Sequence, residues 1–365
     1  MAADRRRARQ DALIRSLDAE GLDGLLVSSH ANVRYLTGFS GSAALVAITR
    51  ADVLLVTDFR YDEQARAEAG AVARIEVDGT SVWDRFFKEL ATLGPLERLG
   101  FEGHALTVHD AERFTQAGSA WRWQATTDLV ERLRATKDES EVAAIRSAAA
   151  LAGEALRETL THVRPGMTEL AIAGLLEEAL RRRGSEGHPF ATIVASGPRS
   201  ALPHARSSRR AVTAGEWLLL DFGAQVDGYC ADITRTVVVG ARATEPQRVL
   251  YELVRDAQRR ARTGVRAGMS GRDADALARE PIAARGFEEA FGHSLGHGLG
   301  LEVHEAPRLS KTNGDALPPG AVVTVEPGVY LAGVGGVRIE DDVHLPEAQA
   351  AELLSDGLTD LVELV

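Results

Sequence analysis

At 365 residues the chain is longer than one hydrophobic core usually serves, so two domains are the expectation. A hydrophobic content of 45% beside 26% charged residues excludes a disordered chain. The net charge of −11 argues against nucleic acid or an anionic membrane as partner and leaves small molecules and peptides. The opening stretch MAADRRRARQDALIRSLDAEGLDGLL is basic but lacks the apolar run of a signal peptide, and no segment approaches the ~18 apolar residues of a membrane span. A cytoplasmic location is expected. Within residues 4–20, Ala12, Leu13, Leu17 and Ala19 alternate with charges and predict an amphipathic helix ending near Gly21. GLLVSS, SAALVAITR and DVLLVTD then read as short buried strands. Helical patterns at 60–70 and 81–92 and a strand near 97–102 complete an α/β domain over residues 1–132. His30, Asp58, Arg60 and Tyr61 lie at strand ends there and read as caps or surface groups.

A second regime fills residues 133–365. LRATKDESEVAAIRSAAALAGEALRETLTHV predicts one long amphipathic helix, closed by Arg164-Pro165-Gly166. Thr168 is placed to cap a second helix, ELAIAGLLEEALRRRG, with Gly184 at its end. A strand follows at ATIVASG. Further on, RAGMSGRDADALARE echoes RPGMTELAIAGLLEE, which suggests a domain of two similar halves. The expected class is α+β with antiparallel hairpins.

WLLLDFGAQVDGYCADITRTVVV is two apolar runs about a polar turn, a hairpin pattern. Asp221 and Asp232 interrupt the runs. A turn centred on Val226-Asp227 sets them opposite one another, and one centred on Asp227-Gly228 sets them diagonally. Either register puts both on one face, because side chains alternate with period two. Glu326 and Glu340 repeat the arrangement about a midpoint at Gly333. Buried like charges are destabilising without compensation, and a cation is the simplest one. FGHSLGHGLGLEVHE adds His293, His297 and His304 among small residues that let the backbone approach closely. Four acids with an imidazole lack the nitrogens and thiolates of a structural zinc site, but fit a carboxylate-bridged pair of Mn²⁺, Co²⁺, Fe²⁺ or Zn²⁺. Such a pair serves hydrolysis. The single-zinc His-Glu-x-x-His helix and a dinucleotide loop are absent. Cys230, the only cysteine, reads as a packed strand residue.

ASGPRSALPHA, LLLDFGAQVDGYCADITRT, FGHSLGHGLGLEVHE, TVEPGVY and GGVRIEDD resemble the signature blocks of the pita-bread metallopeptidases, nearest the Xaa-Pro peptidases (prolidase and aminopeptidase P). ANVRYLTGFSGS and TDFRYDEQA resemble the creatinase-type N-terminal domain. The resemblance implies an α/β N-terminal domain over 1–132 and a pita-bread catalytic domain over 133–365. It implies Asp221, Asp232, His297, Glu326 and Glu340 as ligands of two divalent ions, manganese first, with Glu326 also exchanging a proton. It gives His204, His293 and His304 catalytic and substrate-binding roles, gives Arg338 on Glu340's strand face the same two roles, and makes Tyr330 a substrate-binding residue with a supporting hydroxyl. The implied substrate is a peptide with proline at its second position, the implied assembly a homodimer. Whether dipeptides or longer chains are cleaved depends on what closes the far end of the site, and the compact length leans to dipeptides. A metal-free creatinase-like amidinohydrolase and a non-catalytic binding protein are the alternatives. Intact acids argue against both.

Overall fold

Leu13 and Leu17 lie one turn apart and buried on the helix Arg6–Glu20 (α1), which Gly21 ends at φ 66°, a left-handed conformation that side chains resist. The computed structural model describes residues 4–116, 120–355 and 359–365, and residues 1–134 and 135–365 form two compact units. In the first unit, Gly24–Val27 (β1), Ala44–Thr49 (β2), Val53–Asp58 (β3), Arg74–Asp78 (β4), Arg98–Glu102 (β5) and Arg122–Thr126 (β6) form one sheet in the order β4-β3-β2-β1-β5-β6. β2 runs antiparallel to β1 and β3, and the other neighbours are parallel. Helices His30–Thr37 (α2), Asp62–Ala69 (α3), Val82–Leu90 (α4), Val108–Gln116 (α5) and Leu129–Arg134 (α6) connect them. β1, β2 and β3 are buried almost throughout, which accounts for their unbroken apolar runs. The edge strands β4 and β6 carry no such run and are not announced by the sequence pattern. Asp58 is a cap, its carboxylate accepting the Arg60 backbone N–H at 3.0 Å.

The long helix expected from residue 133 is interrupted. α6 stops at Arg134, and the next helix runs Glu139–His162 (α7). Asp138 sets the new start by accepting the N–H groups of Ser140 and Glu141, while Glu141 accepts the Asp138 N–H at 2.9 Å. This capping box is worth more to the chain than continuation through Thr136 and Lys137. Thr168 caps Glu169–Arg182 (α8), accepting the Ala171 N–H at 3.1 Å. Ile172, Leu176 and Leu180 of α8 pack in one core with Val194, Leu218 and Leu220. Each such burial contributes about 1.5–3 kcal/mol. Ser270 caps a matching helix, Gly271–Ala283 (α10), which follows Glu245–Gly264 (α9). Thr168 and Ser270 also form isolated antiparallel bridges, to Ala211 and Ala316, so the two echoing turns are alike in structure.

The strands of this unit are Ile193–Ser196 (β7), Trp217–Phe222 (β8), Gln225–Val226 (β9), Tyr229–Cys230 (β10), Ile233–Val239 (β11), Gly296–Gly298 (β12), Glu305–Leu309 (β13) and Ala321–Val325 (β14). They continue with Gly328–Leu331 (β15), Gly335–Arg338 (β16), Asp341–Leu345 (β17), Glu352–Leu353 (β18) and Glu363–Leu364 (β19). Two larger sheets have the orders β19-β11-β8-β7 and β13-β12-β14-β17-β18, and β9-β10 and β15-β16 are two-stranded. Among the described residues no helix is long and apolar enough to cross a membrane.

Candidate metal centre and active site

Two hairpins bring the acids together. β8 pairs with β11 so that Asp221 faces Thr234 and Phe222 faces Ile233, and the tip continues in register with Val226 facing Tyr229. The turn is therefore Asp227-Gly228, at φ 50° and 78°, the left-handed pair a tight two-residue hairpin requires. Of the two registers open to the sequence, this one makes Asp221 and Asp232 diagonal neighbours on one face. In the second hairpin Val325 faces Asp341 and Gly328 faces Arg338, so the intervening Glu326 and Glu340 fall opposite each other. The midpoint is Gly333, at φ 76°.

His297 enters from the short strand β12. A Cβ on Gly296 would meet the Thr324 carbonyl oxygen at 2.0 Å, and one on Gly298 the Ala306 oxygen at 2.0 Å. Glycine at both places lets this strand lie against its neighbours. His297 Nδ1 lies 3.0 Å from the Gly298 carbonyl oxygen, so the proton belongs on Nδ1 and the Nε2 lone pair faces the acids. Nε2 is 3.4 Å from Glu326 Oε1 and 3.8 Å from Asp232 Oδ2. Asp232, His297 and Glu340 offer ligand atoms all within 4.8 Å of one another. Asp232 Oδ1 is buried without a hydrogen-bond partner.

The electrostatics are those of an under-neutralised cluster. Burial first, then Glu340, Asp221 and Glu326, push Asp232 well above the usual carboxylate range. Burial and the charges of Glu326 and Asp221 do the same to Glu340. Burial raises Glu326 to about 8. Arg338 is the buried cation facing this group: Nη2 lies 2.5 Å from Asp221 Oδ2, Nε donates to Thr234 Oγ1 at 3.0 Å, and Nη1 to the Tyr330 hydroxyl at 2.8 Å. Thr234 Oγ1 in turn donates to Glu340 Oε2 at 2.5 Å. One guanidinium among four acids leaves charge to be compensated. The partnerless oxygen, the free Nε2 lone pair and the hard carboxylate donors together fit divalent ions.

A cavity of about 490 Å³ opens over these groups, lined by His204, His293, His304, Arg338 and the five expected ligands, with Phe190, Ile193 and Pro203 as apolar wall. His293 has both ring nitrogens engaged, Nδ1 with the Ser294 carbonyl at 2.8 Å and Nε2 with the Tyr330 hydroxyl at 2.9 Å. Burial lowers His293 to about 4. His304 stacks edge-on against His297, ring centroids 4.5 Å apart, and is lowered by partial burial and Arg308. Tyr330, expected at the substrate, is not in the cavity lining. Its hydroxyl lies behind, linking His293 to Arg338.

Phe190, Ile193 and Arg308 in the cavity lining, and Thr234 and Thr324 beside the acids, are singled out by no sequence motif named above. Thr234 and Thr324 each stand two residues from an acid, on the same strand face, as Arg338 does from Glu340. Period two was signal enough to find them. Arg308, on β13, reaches the cavity only through tertiary pairing and leaves no local trace.

Two family models match: "Metallopeptidase family M24" over residues 143–347 and "Creatinase/Prolidase N-terminal domain" over residues 9–136. A Xaa-Pro dipeptidase of Pyrococcus furiosus is 35% identical over 347 residues, covering 94% of this chain and 97% of that protein. The structure of a Xaa-Pro dipeptidase from Bacillus anthracis superposes with a TM-score of 0.94 at 39% identity, covering 98% of this chain and all of that one. An X-Pro aminopeptidase from Thermotoga maritima gives 0.89 at 39%, covering 97% and 99%. The fold is thus the pita-bread architecture behind a creatinase-type domain. Together with the acid cluster and its histidine, these likenesses show that the chain belongs to metallopeptidase family M24.

Proposed function

We propose that this enzyme hydrolyses the Xaa-Pro bond at the N-terminus of short peptides, dipeptides before longer chains. The observation that carries the reading is the buried convergence of Asp221, Asp232, His297, Glu326 and Glu340 at the floor of a peptide-sized cavity. Held by these five residues, two divalent ions, manganese first, would supply an activated water and a Lewis acid for the scissile carbonyl. Glu326, at the cavity floor with Oε1 3.4 Å from His297 Nε2, would take the proton of that water and pass it toward the leaving nitrogen. His293 already uses both ring nitrogens, so donation to the developing oxyanion falls to His304. Arg338 lines the cavity, and the Tyr330 hydroxyl braces it together with His293.

Arg308 gives the preference for dipeptides a physical basis. It lines the cavity, and its charge reaches His297, His304 and Glu326. A guanidinium there suits the free carboxylate of a dipeptide's proline. A homodimer, which rests on the family resemblance, and a cytoplasmic location accompany the reading. The amidinohydrolase and non-catalytic alternatives have no support, since no donor position is broken.

The test is product analysis with Ala-Pro, Ala-Pro-Ala and Ala-Ala, side by side, on manganese-loaded protein. Proline release from Ala-Pro with the highest kcat/KM is expected. Arg308→Met should lower that value about tenfold and affect Ala-Pro-Ala less, the loss expected for one charge-assisted contact. Turnover of Ala-Ala as fast as Ala-Pro would contradict the reading.

A further inference from the structure

His204 reaches the cavity from a long connection rather than from a strand. Ser196 ends β7, a short 3₁₀ turn covers Gly197–Ala201, and the chain then passes through Pro203 and His204 to Ser208. A segment of this length loses considerable freedom when its tip is held in one place. Within this segment, Arg199 Nη2 donates to the Arg206 carbonyl at 2.5 Å and the Ala205 N–H to the Leu202 carbonyl at 3.1 Å. Pro203 accepts from Arg338 Nη1 at 3.4 Å, and Ser200 Oγ accepts the Gly336 N–H at 2.8 Å.

Both ends of the segment are gathered by one side chain. Glu169, the first residue of α8, is wholly buried (0% exposed) and does not line the cavity. Its Oε1 accepts the Ser196 N–H at 2.8 Å and hydroxyl at 2.9 Å. Its Oε2 accepts the Ser208 N–H at 3.0 Å and hydroxyl at 2.6 Å. Arg199 Nε bridges the two oxygens at 3.2 and 3.1 Å. Such a set fills the acceptor capacity of a carboxylate, which offsets the cost of burying it. α8 and β7 do not depend on these bonds for their packing, because Ile172, Leu176, Leu180 and Val194 share the apolar core described above. Ser207 Oγ also ties the far end of the segment back, accepting the Val194 N–H at 2.9 Å and donating to the Thr192 carbonyl at 3.0 Å, and the carboxylate adds the direct link between Ser196 and Ser208.

We propose that Glu169 is the positioning residue for His204, clamping Ser196 to Ser208 so that the imidazole is held at the substrate. The proposal rests on the Xaa-Pro reading and on His204 as a substrate contact. With metal-loaded full-length protein and Ala-Pro, Glu169→Gln should raise KM about tenfold while kcat stays within about twofold, the size of effect that one lost set of charge-assisted bonds produces. His204→Ala should raise KM similarly. The double variant should be no worse than His204→Ala alone, because both changes remove one interaction. Multiplying effects, or an unchanged KM in Glu169→Gln, would overturn the proposal. If Glu169→Gln does not fold, Ser208→Ala takes its place under the same criterion, with a KM rise of about threefold for the single hydroxyl. Hydrogen exchange separates this from the functional reading: amides of 197–208 should lose protection in the Glu169 variant while those of α8 keep theirs. Unchanged protection overturns the clamp, whereas wild-type protein that fails to cleave Ala-Pro overturns the Xaa-Pro reading alone.

Discussion

Glu340, just before β17, and Asp341, its first residue, are adjacent and almost equally buried, yet their surroundings are opposite in character. Asp341 receives Arg235 Nη2 at 2.7 Å, Gln258 Nε2 at 2.6 Å, Ser355 Oγ at 2.8 Å and Arg262 Nη1 at 3.4 Å. Burial pushes its carboxyl up, but these partners outweigh burial and hold it below the usual range. Glu340 has the Thr234 hydroxyl, and burial with Glu326 and Asp221 drives it well above that range. A buried acid with its own cations is a brace. One crowded among other acids, with a single shared arginine, has the surroundings that suit a ligand for a cation.

Removing an acid on the ligand side should have the largest effect. Asp232→Asn should cut Ala-Pro turnover by more than about a hundredfold in metal-replete buffer, since even partners that only support a ligand cost 10–100-fold. Near-normal turnover would break the comparison. On the brace side, Asp341→Asn leaves Arg235 buried without its counter-charge and should cost about 3–5 kcal/mol of stability, read by denaturant unfolding. The same loss should appear with and without metal; a loss seen only in the metal-loaded form would place Asp341 among the ligands.

The pH dependence of the metal-free protein sharpens the contrast. Glu326 stands at about 8 against an ordinary 4.5, so the fold retains a proton there that the unfolded chain releases. That contribution to stability is complete below about pH 4.5 and is lost as pH rises through about 8. Calorimetry in chelator should show Tm falling by several degrees across this interval. Added manganese should restore more at pH 8.5 than at 5.5, because binding displaces the proton. A flat profile would contradict the crowding. The smallest effect is the control: Asp138→Ala removes the cap of α7 and should cost about 1 kcal/mol with bound metal unchanged.

How much of this could be read from the residues follows from the range of the forces involved. Asp221 and Asp232 sharing a face, and Glu326 opposing Glu340 about Gly333, follow from strand alternation, which is local. The hairpin register was open by one residue until the left-handed turn at Asp227-Gly228 settled it. The capping box at Asp138 was also written in the chain, in D-E-S-E, but the apolar periodicity of the surrounding residues masked it. Arg308, Phe190 and the clamp at Glu169 depend on segments that meet only after folding, and no short-range pattern marks them. Tyr330 was placed by resemblance at the substrate, whereas its hydroxyl serves His293 and Arg338 from behind.

Anomalous diffraction from crystals grown with manganese tests the central claim most directly. Two peaks per chain are expected, enclosed by Asp221, Asp232, His297, Glu326 and Glu340. No peak there, or manganese only at His104, Asp128 and the half-buried Glu131, the other described group with donors within 4.8 Å, would contradict it.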